Sequence, residues 1–182
     1  MTYQEIKSEV LIAAKSSGAC SDEYRRAAKC ESMDDLAQVM RDNFIWLCNA
    51  KVLTRESIAR WGLPAHRIHH NEDCGAGAFL LATDSATVRA TGSATVTATG
   101  SATVTAYDSS TVTAYDSSTV TAYGSATVTA YGSATVTAYS EAYVNSRSIV
   151  RCEAYDNAIV RNADRTITIA DKSSVLDNPL KP

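Results

Sequence analysis

The chain has 182 residues, with 17 Lys and Arg against 20 Asp and Glu, a net charge of -3, 45% hydrophobic residues, five Cys and three Pro. This is the length of one domain or two small ones, and not the composition of a disordered tail. Charge cancels locally, with 10 basic and 11 acidic residues in 1–74 and six of each in 139–182, so no stretch has the basic excess expected of a nucleic-acid or anionic-membrane binder.

The longest apolar runs, such as residues 10–14, fall well short of the roughly 20 residues of a membrane span. The first residues, Met1-Thr-Tyr-Gln-Glu-Ile-Lys, include an acid and lack the basic start and cleavage site of a secretory signal. The expectation is therefore a soluble, cytoplasmic protein. Cys20, Cys30, Cys48, Cys74 and Cys152 are odd in number and have no framework spacing, which fits reduced thiols better than a disulfide scaffold.

In chain order, residues 3–16 carry Ile6, Val10, Ala13 and Ala14 on one helical face. Ser32 caps a second predicted helix, in which Met33, Leu36, Val39, Met40, Phe44 and Leu47 recur at i, i+3 and i+4 spacing. Thr54, followed by Glu56 and Ser57, opens a third through Ile58 and Trp61, stopped by Gly62 and Pro64. Residues 1–74 thus read as a small helical N-terminal capping domain. His66, His69, His70 and Cys74 are residue types that zinc accepts, but their spacing matches no standard site. The reading is a polar hinge, with no metal and no cofactor.

From Thr83 to Ala138 the chain reads TDSATVRA, TGSATVTA, TGSATVTA, YDSSTVTA, YDSSTVTA, YGSATVTA, YGSATVTA: seven octads without a gap. The frame extends back to residue 75 and, with decaying fidelity, forward to 162, as in stacked arrays with atypical ends. Each octad alternates small apolar and polar residues, the period of a strand with one buried face. Ala102, Val104 and Ala106 point inward, and Thr103, Thr105 and Tyr107 outward. Asp or Gly followed by Ser supplies the bend.

Such a strand cannot fold alone, because its backbone groups are unpaired and its apolar face is thin; stacking answers both needs. The octads come in identical pairs, which favours two faces per coil. The predicted fold class is α+β: the helical cap, then a flattened parallel β-solenoid over 75–178 with 8-residue strand repeats and 16 residues per coil. Its regular part is 83–138 and its C-terminal capping coils are 139–178. About six coils would span on the order of 30 Å at ~4.8 Å per rung. Tyr107, Tyr123 and Tyr139 would form one ladder, and Tyr115 and Tyr131 the other. Arg147, Arg151, Arg161, Asp164, Arg165 and Asp171 would blunt the final edge.

No Gly-rich phosphate loop or nucleophile elbow is present, and the octads hold no His or Cys. Asp84, Asp108 and Asp116 are explained by corner chemistry and lack the spacing of calcium-binding β-rolls. The expectation is no catalytic residue and no enzyme. Six octads instead present outward Thr pairs: Thr95/Thr97, Thr103/Thr105, Thr111/Thr113, Thr119/Thr121, Thr127/Thr129 and Thr135/Thr137. On two faces they divide into three rungs each, a grid of methyls and hydroxyls ~6.6 Å by ~4.8 Å, with restricted χ1 freedom.

These Thr-x-Thr ladders resemble the ice-binding faces of β-solenoid antifreeze proteins, and the octads are similar to the Tyr-Gly-Ser-Thr-x-Thr repeats of bacterial ice-nucleation proteins. In the ice nucleators Thr follows Tyr by three positions; here Tyr107 to Thr111 is four, and their large N-terminal domain has no counterpart. The whole chain more closely resembles uncharacterised bacterial octapeptide-repeat proteins of the Ala-Thr-Val-x-Ala-Tyr-Asp/Gly-Ser type. In that family the outward position after Val varies and is often charged, as Arg89 is here, so six consecutive Thr look selected or engineered. The resemblance implies adsorption to ice and its ordered water; the charge balance and short apolar runs imply no nucleic-acid or membrane partner. The competing expectation is a non-catalytic spacer or protein-binding scaffold, self-associating as a homo-dimer through a rod face or end.

Overall fold

The computed structural model describes residues 1–148 and 151–169, and the chain divides into two compact units after His70. The first holds five α-helices: α1 (Tyr3–Ser16), α2 (Ser21–Lys29), α3 (Met33–Asp42), α4 (Phe44–Asn49) and α5 (Arg55–Arg60). A 3-10 turn, Leu63–His66, and a short strand β1, Ile68–His70, follow. Three helices start on reciprocal capping boxes, Thr2 with Glu5, Ser32 with Asp35 and Thr54 with Ser57. In each, a side-chain oxygen accepts from one of the helix's orphan N–H groups. Ile6, Val10, Leu36, Met40, Phe44, Leu47 and Ile58 are all buried and form the core of this unit. Among the described residues no helix is long and apolar enough to cross a membrane.

Two local features differ from the sequence reading. Helix α2 was not expected: SDEYRRAAK buries only Ala27 and has no side-chain cap at Cys20, so no apolar period announces it. Its signal is electrostatic, with Asp22 and Glu23 in the first turn and Arg26 and Lys29 in the last, matching the helix dipole. The expected second helix is broken at Asn43 into α3 and α4. There φ is -112° and ψ 19°, and the Asn43 amide donates to the Val39 carbonyl at 3.0 Å and to Glu23 at 2.7 Å. Side-chain competition of this kind ends a helix without Gly or Pro.

The second unit is the solenoid. Strands β2 (Phe79–Ala82), β4 (Thr95–Ala98), β6 (Thr111–Ala114), β8 (Thr127–Ala130), β10 (Tyr143–Ser146) and β12 (Ile159–Arg161) run parallel in one sheet. Strands β3 (Thr87–Ala90), β5 (Thr103–Ala106), β7 (Thr119–Ala122), β9 (Thr135–Ala138) and β11 (Arg151–Ala154) form the other. Every parallel pair is offset by 16 residues, as Thr103↔Thr119↔Thr135 shows, so each coil is two octads. Among the described residues the strands make five two-strand coils, and β12 opens a sixth.

The inward column of the regular coils is mostly Ala and Val; Ala102, Val104, Ala106, Val112, Ala114, Val120 and Ala122 are fully buried. Ser110 and Ser118 stand where other coils have Ala, equally buried, and their hydroxyls donate to the Tyr107 and Tyr115 carbonyls at 2.7 Å. That bond offsets the cost of burying a polar group.

The paired octads have a structural meaning at the corners. A 16-residue step places Gly92, Asp108 and Gly124 in one column and Asp84, Gly100, Asp116 and Gly132 in the other, all at positive φ. The Asp108 carboxylate accepts from Gly92 N–H at 2.9 Å, and Asp116 from Gly100 N–H at 3.0 Å. Above each Asp, Gly leaves room: a Cβ on Gly124 would sit 3.3 Å from Asp108 backbone atoms. Asp and Gly therefore alternate up each corner.

The solenoid unit begins earlier than the composition change suggests. Asn71 accepts from Thr83 N–H at 2.8 Å, and Cys74 bridges Ala90 in parallel. At the other end β13 (Ile167–Ile169) runs antiparallel to β12 instead of continuing the coil. The reversal is set by Asp164, whose carboxylate accepts from Thr166 N–H at 2.9 Å and Thr166 hydroxyl at 2.7 Å. Asp171 and the capping residues expected over 170–178 lie outside the described residues.

Candidate functional site

The outer face of the β5–β7–β9 sheet carries Thr103, Thr119 and Thr135 in one column and Thr105, Thr121 and Thr137 in the next, all half-buried. Each Thr faces its counterpart one coil away with no slip in register, and the strands place the paired residues ~6.6 Å apart. A third column on the same side, Tyr107, Tyr123, Tyr139 and Tyr155, borders the grid. Its rings stack with centroids 5.3, 5.0 and 5.0 Å apart and interplanar angles of 11°, 8° and 13°.

Both ends of this ladder are held by charge. The Arg89 guanidinium lies 5.5 Å from the Tyr107 ring centre and donates to its hydroxyl at 3.4 Å, an arrangement favoured by the ring quadrupole. At the far end Tyr155 donates to Glu153 at 3.4 Å. Desolvation first, then the Glu153 carboxylate, push the Tyr155 phenol up from its ordinary range. Glu153 also pairs with Arg151 at 3.0 Å. The grid is therefore an uncharged patch of three rungs between Arg89 and the Arg151–Glu153 pair.

The β4–β6–β8 sheet carries the other six: Thr95, Thr111 and Thr127 in one column, Thr97, Thr113 and Thr129 in the next. It is not an equivalent face. Leu81, Thr97 and Thr113 are buried, at 4%, 0% and 6% exposure, and the Thr97 hydroxyl has no hydrogen-bond partner among the described residues. Thr111 is exposed, and Thr95, Thr127 and Thr129 are intermediate. Tyr115 and Tyr131 stack at 5.0 Å beside it.

The His-rich segment does not assemble into a centre. His66 Nδ1 lies 2.7 Å from Asp34 Oδ1, while the His66 carbonyl accepts from Arg41 at 2.7 Å. Among the described residues no three His, Cys, Asp or Glu side chains come together as a metal-binding group. Burial pushes the Cys74 thiol up to about 11 and Cys152 up to about 12, which keeps both protonated and unreactive at neutral pH.

The sequence reading identified the Thr grid and both Tyr ladders, but not Tyr155 as a fourth ring, Arg89 as its lower stop, or the unequal burial of the faces. The first two were available from the 16-residue offset, which aligns Tyr139 with Tyr155 and places Arg89 beneath Thr105. The grid is an ordered surface of methyls and hydroxyls with no charge in it. No protein-family model matches the chain, and comparison with curated proteins and with solved structures gives no significant match.

Proposed function

We propose that this protein binds ice through the Thr103/Thr105, Thr119/Thr121 and Thr135/Thr137 grid. The observation that carries the reading is the slip-free register of six half-buried Thr residues over three coils of one sheet. Rungs ~4.8 Å apart and pairs ~6.6 Å apart form a rectangular lattice close to the oxygen repeat on a prism face of ice. Each Thr offers a methyl that orders adjacent water and a hydroxyl that anchors it. The backbone behind is fully paired, so the lattice is fixed before water meets it. Adsorption at such a patch pins the advancing ice front and slows its growth.

The stacked Tyr column and the flanking charges confine the patch to about 10 Å by 7 Å, counted as two rung intervals and one Thr spacing. So small a template suits adsorption better than nucleation. The Thr95 to Thr129 grid contributes less in this account, because two of its six members are buried. The test is ice-crystal morphology with the purified chain and with Thr121→Arg, which places a charge at the centre of the grid. Faceted crystals with the parent and round ones with the variant support the proposal. Round crystals with both leave a non-catalytic scaffold, and self-association through a rod face or end becomes the reading to pursue.

A further inference from the structure

The 16-residue step that aligns the Tyr rings also aligns Thr91 and Gly75 beneath them, so the column reads Gly75, Thr91, Tyr107, Tyr123, Tyr139, Tyr155. Ala90 pairs with Ala106 in the same parallel register as Ala122 with Ala138. Tyr107 N–H donates to the Ala90 carbonyl at 2.9 Å, as Tyr123 N–H does to Ala106. Thr91 therefore stands where the next four coils carry a ring. It is small, and Gly75 below it has no side chain; a Cβ there would meet Thr91 Oγ1 at 3.8 Å. The stack stops at Tyr107 and leaves an open depression of about 540 Å³ lined by Asp73, Cys74, Arg89, Thr91, Tyr107 and Asp108, within the size range of small-molecule sites.

The Arg89 guanidinium marks the vacant place. Its carbon lies 5.5 Å from the Tyr107 ring centre, against 5.3 and 5.0 Å between successive rings. Arg89 is exposed, and the cation–π contact of an exposed side chain is weak, so a planar ring can take its place on Tyr107. Charge selects what that ring carries. The Asp73 carboxylate accepts from Arg89 N–H at 2.7 Å and Asp108 from Gly92 N–H at 2.9 Å, each through one oxygen, which leaves the other for a ligand donor. Residues 71–124 hold five carboxylates, Glu72, Asp73, Asp84, Asp108 and Asp116, against Arg89 as their one cation. An anion is repelled there and an ammonium attracted.

We infer that the start of the Tyr column binds an arylalkylamine in its ammonium form, the ring stacked beneath Tyr107 and the ammonium held by Asp73 and Asp108. The site is separate from the ice-binding proposal, and either stands without the other.

The test titrates the full chain with 2-phenylethylamine and follows the ring-proton resonances of Tyr107, assigned through Tyr107→Phe. The expected result is a saturable upfield shift with a Kd on the order of 1 mM. The anion 3-phenylpropanoate should bind at least about tenfold more weakly, and 2-cyclohexylethylamine, which cannot stack, about threefold or more weakly. Thr91→Tyr fills the depression with the residue the column carries in the next four coils, and should lower the affinity at least about tenfold with the β-sheet circular-dichroism signal kept. Arg89→Thr, which copies Thr105 one coil on, frees the Tyr107 face and should raise the affinity about two- to fivefold. No saturable shift, the anion or the cyclohexyl amine binding as well as 2-phenylethylamine, or a folded Thr91→Tyr protein with unchanged affinity would each overturn the inference. If Thr91→Tyr does not fold, unchanged or weaker binding by Arg89→Thr overturns it instead.

Discussion

Exchanging Val and Thr at two adjacent positions separates the inner from the outer side of the solenoid wall. Val120 is fully buried in the Ala and Val column, and Thr121 is on the outer face. Val120→Thr keeps the shape but removes one buried methyl, about 0.8 kcal/mol, and inserts a hydroxyl where the strand's own backbone groups are already paired. An unpaired buried hydroxyl costs about 1–3 kcal/mol, for a total of about 2–4 kcal/mol. For a unit of roughly 100 residues this lowers Tm by on the order of 10–25 °C. Thr121→Val, the reverse exchange, should change stability by no more than about 0.5 kcal/mol. Calorimetry on the intact chain, with the β-sheet circular-dichroism signal followed in parallel, measures both. Equal losses in the two variants, or a Val120→Thr protein as stable as the parent, would refute the inside/outside assignment.

Other consequences follow from the corners, the thiols and the caps. Gly124→Ala should cost about 1–2 kcal/mol for a Cβ at positive φ, plus the 3.3 Å approach to the Asp108 backbone. Gly62→Ala, at φ 64° with nothing within 4 Å, should cost less; the two thermal shifts compared on one chain check this. Exposed Cys20 should be the first thiol labelled by a maleimide at pH 8, with Cys74 and Cys152 protected by burial; fast labelling of Cys152 in folded protein would contradict that. Hydrogen bonds to Thr2 and Ser32 hold Glu5 and Asp35, and one from Arg26 holds Asp42, below their ordinary values of 4.5, 3.8 and 3.8. Depressed carboxylates stabilise fully above those values and lose the contribution as pH falls through the folded ones. An acid titration below about pH 4 should therefore weaken the helical signal before the β signal.

Much of the rod was legible because its period is enforced at every residue. Strand, corner, inward column and two-sided coil all follow from eight-residue alternation and paired octads, since stacked strands admit one register. The helical unit was harder to read. Ser32 and Thr54 announced their helices as residues suited to the N-cap, whereas α2 has a single buried residue and no side-chain cap. The break at Asn43 depends on a side chain reaching Glu23, 20 residues away, which no local pattern encodes. The antiparallel turn of β13 rests likewise on a local Asp164–Thr166 contact, not on the repeat. For the Thr grid, the sequence fixes which residues point outward, but equal exposure of the two faces was an assumption of symmetry that Thr97 and Thr113 do not obey.

The freezing gap reads adsorption to ice itself. Thermal hysteresis should be measured over a concentration series for the parent, Thr121→Arg on the proposed face and Thr129→Arg on the opposite one. Arg89 already occupies the column of Thr121 two coils below, so an outward Arg there is compatible with the fold, and circular dichroism checks it. The expected result is a gap with faceted crystals for the parent, most of it retained by Thr129→Arg and most of it lost by Thr121→Arg. No gap at any concentration, or a folded Thr121→Arg protein as active as the parent, would contradict ice binding through this grid.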